Sequence, residues 1–172
     1  DYDNGTIYYP IDAEGPLPAI VLIPGYMCDI DYIDSWGPYL ASHGIATMFC
    51  EINWAFNPFS SPESRKTSLL DALVTMREEN ERINSPLFNN IYIDQIAVGG
   101  YSMGGGASHN AAMIDGSLKA LISLNPTVIF EDCNYCPLEG GYCICLVPEL
   151  VDHSVPSLIF AGEVEVNELT AY

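Results

Sequence analysis

A serine held between two glycines, Gly100-Tyr101-Ser102-Met103-Gly104, is the strongest covalent-chemistry signal in this chain. A serine hydroxyl of ordinary pKa is a weak nucleophile. Acyl transfer through it needs an exposed Oγ, a base to take its proton, and N–H donors for the oxyanion that develops. Gly-x-Ser-x-Gly meets the first need when a strand runs into it and a helix leaves it, because the flanking glycines free the tight turn of clashing side chains. The apolar run Gln95-Ile96-Ala97-Val98 predicts that strand, and the residues from Gly104 predict the helix. The helix start adds orphan N–H groups and a partial positive charge. A second donor must come from a loop after an earlier strand. Pro24-Gly25-Tyr26-Met27, following Ala19–Ile23, has that place, which makes the N–H groups of Tyr26 and Met103 the expected oxyanion hole.

The elements that must hold these groups alternate along the chain. Strand patterns fall at Thr6–Tyr9, Ala19–Ile23, Ile45–Cys50, Ile91–Val98, Ala120–Leu124 and Pro156–Ala161. Between them, helical patterns run from about Asp34 to His43, from Ser61-Pro62-Glu63 to about Ile83, and from Gly104 to Ile114. Fully apolar strands alternating with helices predict an α/β architecture, a mostly parallel sheet covered on both faces. With 172 residues the chain is expected to form a single domain, 1–172, interrupted by an irregular Cys-rich insertion at about 127–154.

Composition narrows the functional classes. The 23 acidic residues outnumber 5 basic ones, for a net charge of −18, which disfavours nucleic acid and anionic membrane surfaces. No apolar run approaches the ~20 residues of a membrane span. The first residues show neither an initiator Met nor a leader, so the chain is expected to begin as a processed product. Four of the six cysteines, Cys133, Cys136, Cys143 and Cys145, crowd one loop. Disulfides formed in an extracellular, oxidising setting are the expected reading, with a zinc knuckle as the rival.

Several stretches together resemble bacterial cutinases and poly(ethylene terephthalate) hydrolases. They are Tyr8-Tyr9-Pro10, Ile23-Pro24-Gly25-Tyr26, Trp36-Gly37-Pro38 with Leu40-Ala41-Ser42-His43-Gly44, Ser102-Met103-Gly104-Gly105-Gly106, Leu118-Lys119-Ala120 and Val155-Pro156-Ser157-Leu158-Ile159-Phe160-Ala161. They follow the family's order over nearly the whole chain. The resemblance implies the three-layer α/β-hydrolase sandwich, lacking here its last strand and helix. It also implies secretion, no cofactor and no metal, and cleavage of an ester substrate through an acyl-enzyme on Ser102.

Three departures from the family pattern stand out. Thr127 occupies the place where the family carries a Trp beside the bound acyl group. The four-cysteine loop is longer than the family's. The family's Asp after the Phe-Ala strand end is replaced in Gly162-Glu163-Val164-Glu165, where Glu165 aligns best and Glu163 is the weaker candidate.

A base is harder to find. Chain order in this fold is Ser, acid, His, and no histidine follows Glu165. His43 and His153 precede strands and so belong to the opposite end of a parallel sheet. His109 lies seven residues into the elbow helix, roughly 10 Å along its axis. The leading expectation is therefore a serine ester hydrolase whose histidine lies beyond Tyr172. In it, a missing segment or a protein partner covers the edge of the 156–161 strand. A structural or assembly protein that kept the fold without catalysis is the alternative, and a dienelactone-hydrolase-like enzyme is a third reading, though such enzymes usually carry Cys where Ser102 stands.

Overall fold

A computed structural model describes residues 2–52, 62–127 and 151–162. Among the described residues, six strands form one sheet in the order β1-β3-β2-β4-β5-β6. They are β1 (Gly5–Tyr8), β2 (Leu17–Ile23), β3 (Ala46–Cys50), β4 (Ile91–Tyr101), β5 (Ala120–Leu124) and β6 (Ser157–Phe160). β1 runs antiparallel to β3, and every other pairing is parallel. The α-helices among the described residues are α1 (Trp36–Ser42), α2 (Pro62–Glu79) and α3 (Met103–Ile114).

Two-residue alternation divides the apolar side chains between the faces of the sheet. Leu17, Ala19, Val21 and Ile23 of β2 pack with Leu69, Leu73 and Met76 of α2 and with Ala107 and Ala111 of α3. Ile20 and Leu22 turn the other way, onto Leu40 of α1, Ile33 and Phe49. Helices thus lie on both faces, giving the three layers expected from the sequence. α1 stops at Gly44, whose φ of 82° lets the chain turn back into β3.

Two boundaries differ from expectation by three residues or more. α2 ends at Glu79, not near Ile83. Asn80 reverses the chain there: its Oδ1 accepts the Ile91 N–H at 2.9 Å, and its carbonyl accepts the Asn89 N–H at 2.9 Å. Ile83 is left exposed in the turn. β4 extends past Val98 to Tyr101, one residue short of Ser102, so paired backbone carries the strand right up to the turn. β6 is the edge strand of the described sheet, with Leu158, Ile159 and Phe160 exposed. The four-cysteine loop and the segment carrying Glu163 and Glu165 lie outside the described residues. Of the remaining cysteines, Cys28 and Cys50 are both free thiols.

Candidate active site

Ser102 sits between the end of β4 and the start of α3 with φ 53° and ψ −119°. A non-glycine residue there stores backbone strain of about 1–3 kcal/mol, and it persists only where the surroundings hold it. Three hydrogen bonds do so. The Ser102 N–H donates to the Leu124 carbonyl at 2.8 Å, and the Ser102 carbonyl accepts from the N–H groups of Gly106 at 3.1 Å and Thr127 at 2.9 Å. The turn is therefore tied at once to its own helix and to the end of β5.

Sterics dictate the glycines around it. A Cβ on Gly100 would lie 2.6 Å from the Ile23 carbonyl oxygen and from the Gly104 carbonyl carbon. A Cβ on Gly104 would collide with the Ile23 oxygen and stand 2.5 Å from the Pro24 oxygen. Only with bare Cα atoms at both positions can strand, turn and helix close against the end of β2.

The loop after β2 reaches the serine. At Gly25 an added Cβ would be 3.0 Å from Ser102 Cβ and 3.2 Å from the Tyr101 carbonyl oxygen. The Cys28 N–H donates to the Gly25 carbonyl at 3.2 Å and closes a tight turn in which Met27 has φ 53°. Met27 is largely exposed at its tip and Tyr26 partly so. Among the described residues the Tyr26 N–H donates to no backbone carbonyl. The Met103 N–H, in the first turn of α3, has no intrahelical acceptor by construction. The structure thus brings together Ser102, Tyr26 and Met103.

Beside them, Thr127 touches the serine through its backbone, at the position the sequence marked for the lost aromatic residue. Asn125, at φ 44°, links the ends of two strands. Its N–H donates to the Phe160 carbonyl at 2.6 Å, and its Oδ1 accepts the Gly162 N–H at 2.8 Å. Glu165 follows Gly162 by three residues, a reach of roughly 10 Å.

None of the three histidines is free to serve Ser102. His43 Nδ1 lies 2.9 Å from the Tyr39 carbonyl on the exposed end of α1. His109 is buried, with Nε2 at 2.8 Å from Ser123 Oγ and Nδ1 at 3.0 Å from His153 Nε2. Burial first, and the neighbouring His153 second, push His109 down from 6.5 to about 4. An unfolded chain takes up a proton at this residue near pH 6.5, whereas the folded protein resists it down to about pH 4. Stability from this residue is therefore complete above about 6.5 and drains away as pH falls to 4, by about 2–3 kcal/mol. Urea unfolding at pH 7.5 and pH 4.5 checks this: wild type should lose that much more between the two than His109→Gln. Equal losses would remove His109 as the cause.

Sequence reasoning missed Arg65. Its side chain is fully buried, and it donates to the Pro24 carbonyl (Nε, 3.3 Å), the Gly25 carbonyl (Nη2, 2.8 Å) and Met103 Sδ (Nη1, 3.3 Å). Burial lowers it from 12.5 to about 10, which leaves it cationic at neutral pH. The signal was present in the helical spacing. Arg65 precedes Leu69, Ala72, Leu73 and Met76 on the buried stripe of α2, where a cation is out of place unless it has buried acceptors.

Comparison with known proteins agrees with this geometry. A family profile described as PET hydrolase-like matches residues 1–138. The chain is 34% identical over 126 residues to a bis(hydroxyethyl) terephthalate hydrolase of Streptomyces coelicolor, covering 73% of this chain and 38% of that protein. It is 32% identical over 127 residues to Lipase 1 of a Moraxella species, covering 73% of this chain and 37% of that one. It is 34% identical over 180 residues to Cutinase est1 of Thermobifida alba, covering 99% of this chain and 58% of that cutinase. The chain therefore spans between about a third and three fifths of the length of these relatives. With its mixed sheet, its helices on both faces and its serine on the strand–helix turn, the chain belongs to the PET hydrolase-like family of α/β-hydrolases.

Proposed function

We propose that the full-length protein is a secreted serine ester hydrolase acting through an acyl-enzyme on Ser102. The observation that carries this reading is the strained Ser102 backbone, held at the turn with the Gly25–Tyr26 loop packed against it. Ser102 Oγ gives its proton to a histidine base and attacks the ester carbonyl carbon. The N–H groups of Tyr26 and Met103 receive the oxyanion. As the tetrahedral intermediate collapses, the alcohol leaves with the proton returned by the imidazolium, and the acyl group remains on Ser102. Water, deprotonated by the same base, then releases the acid and restores the serine.

The base in this reading is a histidine outside residues 1–172, supported by the engagement of His43, His109 and His153 elsewhere. It would lie in a segment that covers the exposed edge of β6. Glu165, five residues past the end of β6 in sequence, orients it. Asn125 ties that strand end to the end of β5, two residues before Thr127, whose N–H donates to the Ser102 carbonyl. Secretion and disulfides within the four-cysteine loop fit the crowding of those cysteines. With Thr127 in place of an aromatic wall, short soluble esters are the expected substrates, with Tyr26 supplying an aromatic surface beside Ser102.

Hydrolysis of p-nitrophenyl butyrate by the full-length protein tests the reading. Glu165→Gln should lower kcat by about 10²–10⁴-fold, since a misoriented histidine loses most of its value as a base. Glu163→Gln should stay within a few-fold of wild type. The reverse ranking moves the acid to Glu163, and no turnover by wild type favours the non-catalytic alternative.

A further inference from the structure

We infer that Arg65 is a positioning residue for the oxyanion hole, fixing through one buried guanidinium the peptide that carries the Tyr26 N–H. This inference rests on the hydrolase reading of Ser102, Tyr26 and Met103.

The Gly25 carbonyl and the Tyr26 N–H belong to the same planar trans peptide, so they point in opposite directions. Arg65 Nη2 holds that carbonyl at 2.8 Å from the buried side, the shorter of its two bonds, the other being the Cys28 N–H at 3.2 Å that closes the turn. The N–H is thereby turned away from the arginine, outward at the loop tip where Tyr26 is exposed. The adjoining Cα of Gly25 abuts Ser102 so closely that an added Cβ would stand 3.0 Å from Ser102 Cβ. The peptide thus lies beside the nucleophile with its donor uncommitted to any described backbone acceptor.

The same guanidinium bonds Pro24 through Nε and rests Nη1 on the sulfur of Met103, the residue that carries the other expected donor. Loop and helix start are therefore referenced to one planar group. Arginine suits this task because its donors diverge in a fixed fork, whereas lysine offers a single flexible point charge. A cation bonded to the carbonyl also polarises the peptide and makes its N–H a stronger donor. The acidity shift fits such a site, since burial costs the cation only a lowering to about 10 and it remains charged where the enzyme would work.

The test uses the full-length protein as wild type, Arg65→Lys and Arg65→Met, with folding checked by circular dichroism and thermal melting. Turnover of p-nitrophenyl butyrate separates kcat from KM, and inhibition by a phenylboronic acid reports affinity for a tetrahedral adduct on the serine. For Arg65→Met, kcat should fall by about 10–100-fold with KM within about threefold, and boronate affinity should fall in parallel with kcat. Arg65→Lys should recover part of both. Folded variants with wild-type kcat, or with a loss confined to KM, overturn the inference. So does failure of both variants to fold, which would assign Arg65 a purely structural role. An inactive wild type overturns the hydrolase reading itself and this inference with it, whereas an active wild type with unaffected variants overturns the inference alone.

Discussion

Replacing Ser102 with glycine is expected to abolish ester hydrolysis and, in the same molecule, to stabilise the fold relative to Ser102→Ala. The two effects share one cause. At φ 53° and ψ −119° the serine occupies backbone space that a Cβ resists, and the strain is held by its bonds to Leu124, Gly106 and Thr127. Alanine removes the hydroxyl proposed as nucleophile and keeps the strain, whereas glycine removes both. Both variants should lose at least about 10³-fold in kcat, leaving only what the oxyanion donors and binding supply. In denaturant unfolding, Ser102→Gly should be more stable than Ser102→Ala by about 1 kcal/mol. If the alanine variant proved the more stable, the turn would not be strained at Ser102.

The second large effect is expected at Gly104. A methyl group there would run into the Ile23 carbonyl oxygen and crowd that of Pro24. Both are backbone atoms at the end of β2, which pairs with β3 on one side and β4 on the other, so neither can retreat cheaply. Gly104→Ala should cost about 3 kcal/mol or more. For a domain of this size that is a fall in Tm of roughly 6–12 °C. Activity should fall further than stability alone explains, because the displaced Pro24 carbonyl is bonded to Arg65 and adjoins Gly25. Calorimetry and ester turnover at a temperature where the variant remains folded separate the two losses. By contrast, Gly116→Ala meets nothing within 4 Å and serves as the control.

Much of this arrangement is legible in the sequence, and the parts that are not fail for identifiable reasons. β2 and β3 announce themselves because both their faces are buried, so β2 appears as an apolar run and β3 as one broken only by Thr47, whereas β5, buried on alternate residues, is an apolar run broken only by Ser123. The Gly-Tyr-Ser-Met-Gly motif reads correctly as a turn because its glycines are a steric requirement of one particular junction. The end of α2 is misread because the apolar spacing continues past Glu79, while the Asn80 side chain, a tertiary partner of Ile91, ends the helix. Arg65 is hidden for the opposite reason. A charge is ordinarily assigned to solvent, and the two backbone carbonyls described as its acceptors lie 40 and 41 residues away in the chain. The Asn125 bridge from β5 to β6 likewise depends on a left-handed backbone and a partner at Gly162, neither of which local pattern reveals.

The central claim is that Ser102 is the nucleophile, and covalent labelling tests it most directly. The full-length protein is treated with a fluorophosphonate under mild conditions, and the adduct is located by intact mass and peptide mapping. A single adduct on Ser102, absent from Ser102→Ala and slowed in Glu165→Gln, is the predicted result. A folded protein that leaves Ser102 unmodified, or that takes the label on another residue, would contradict it.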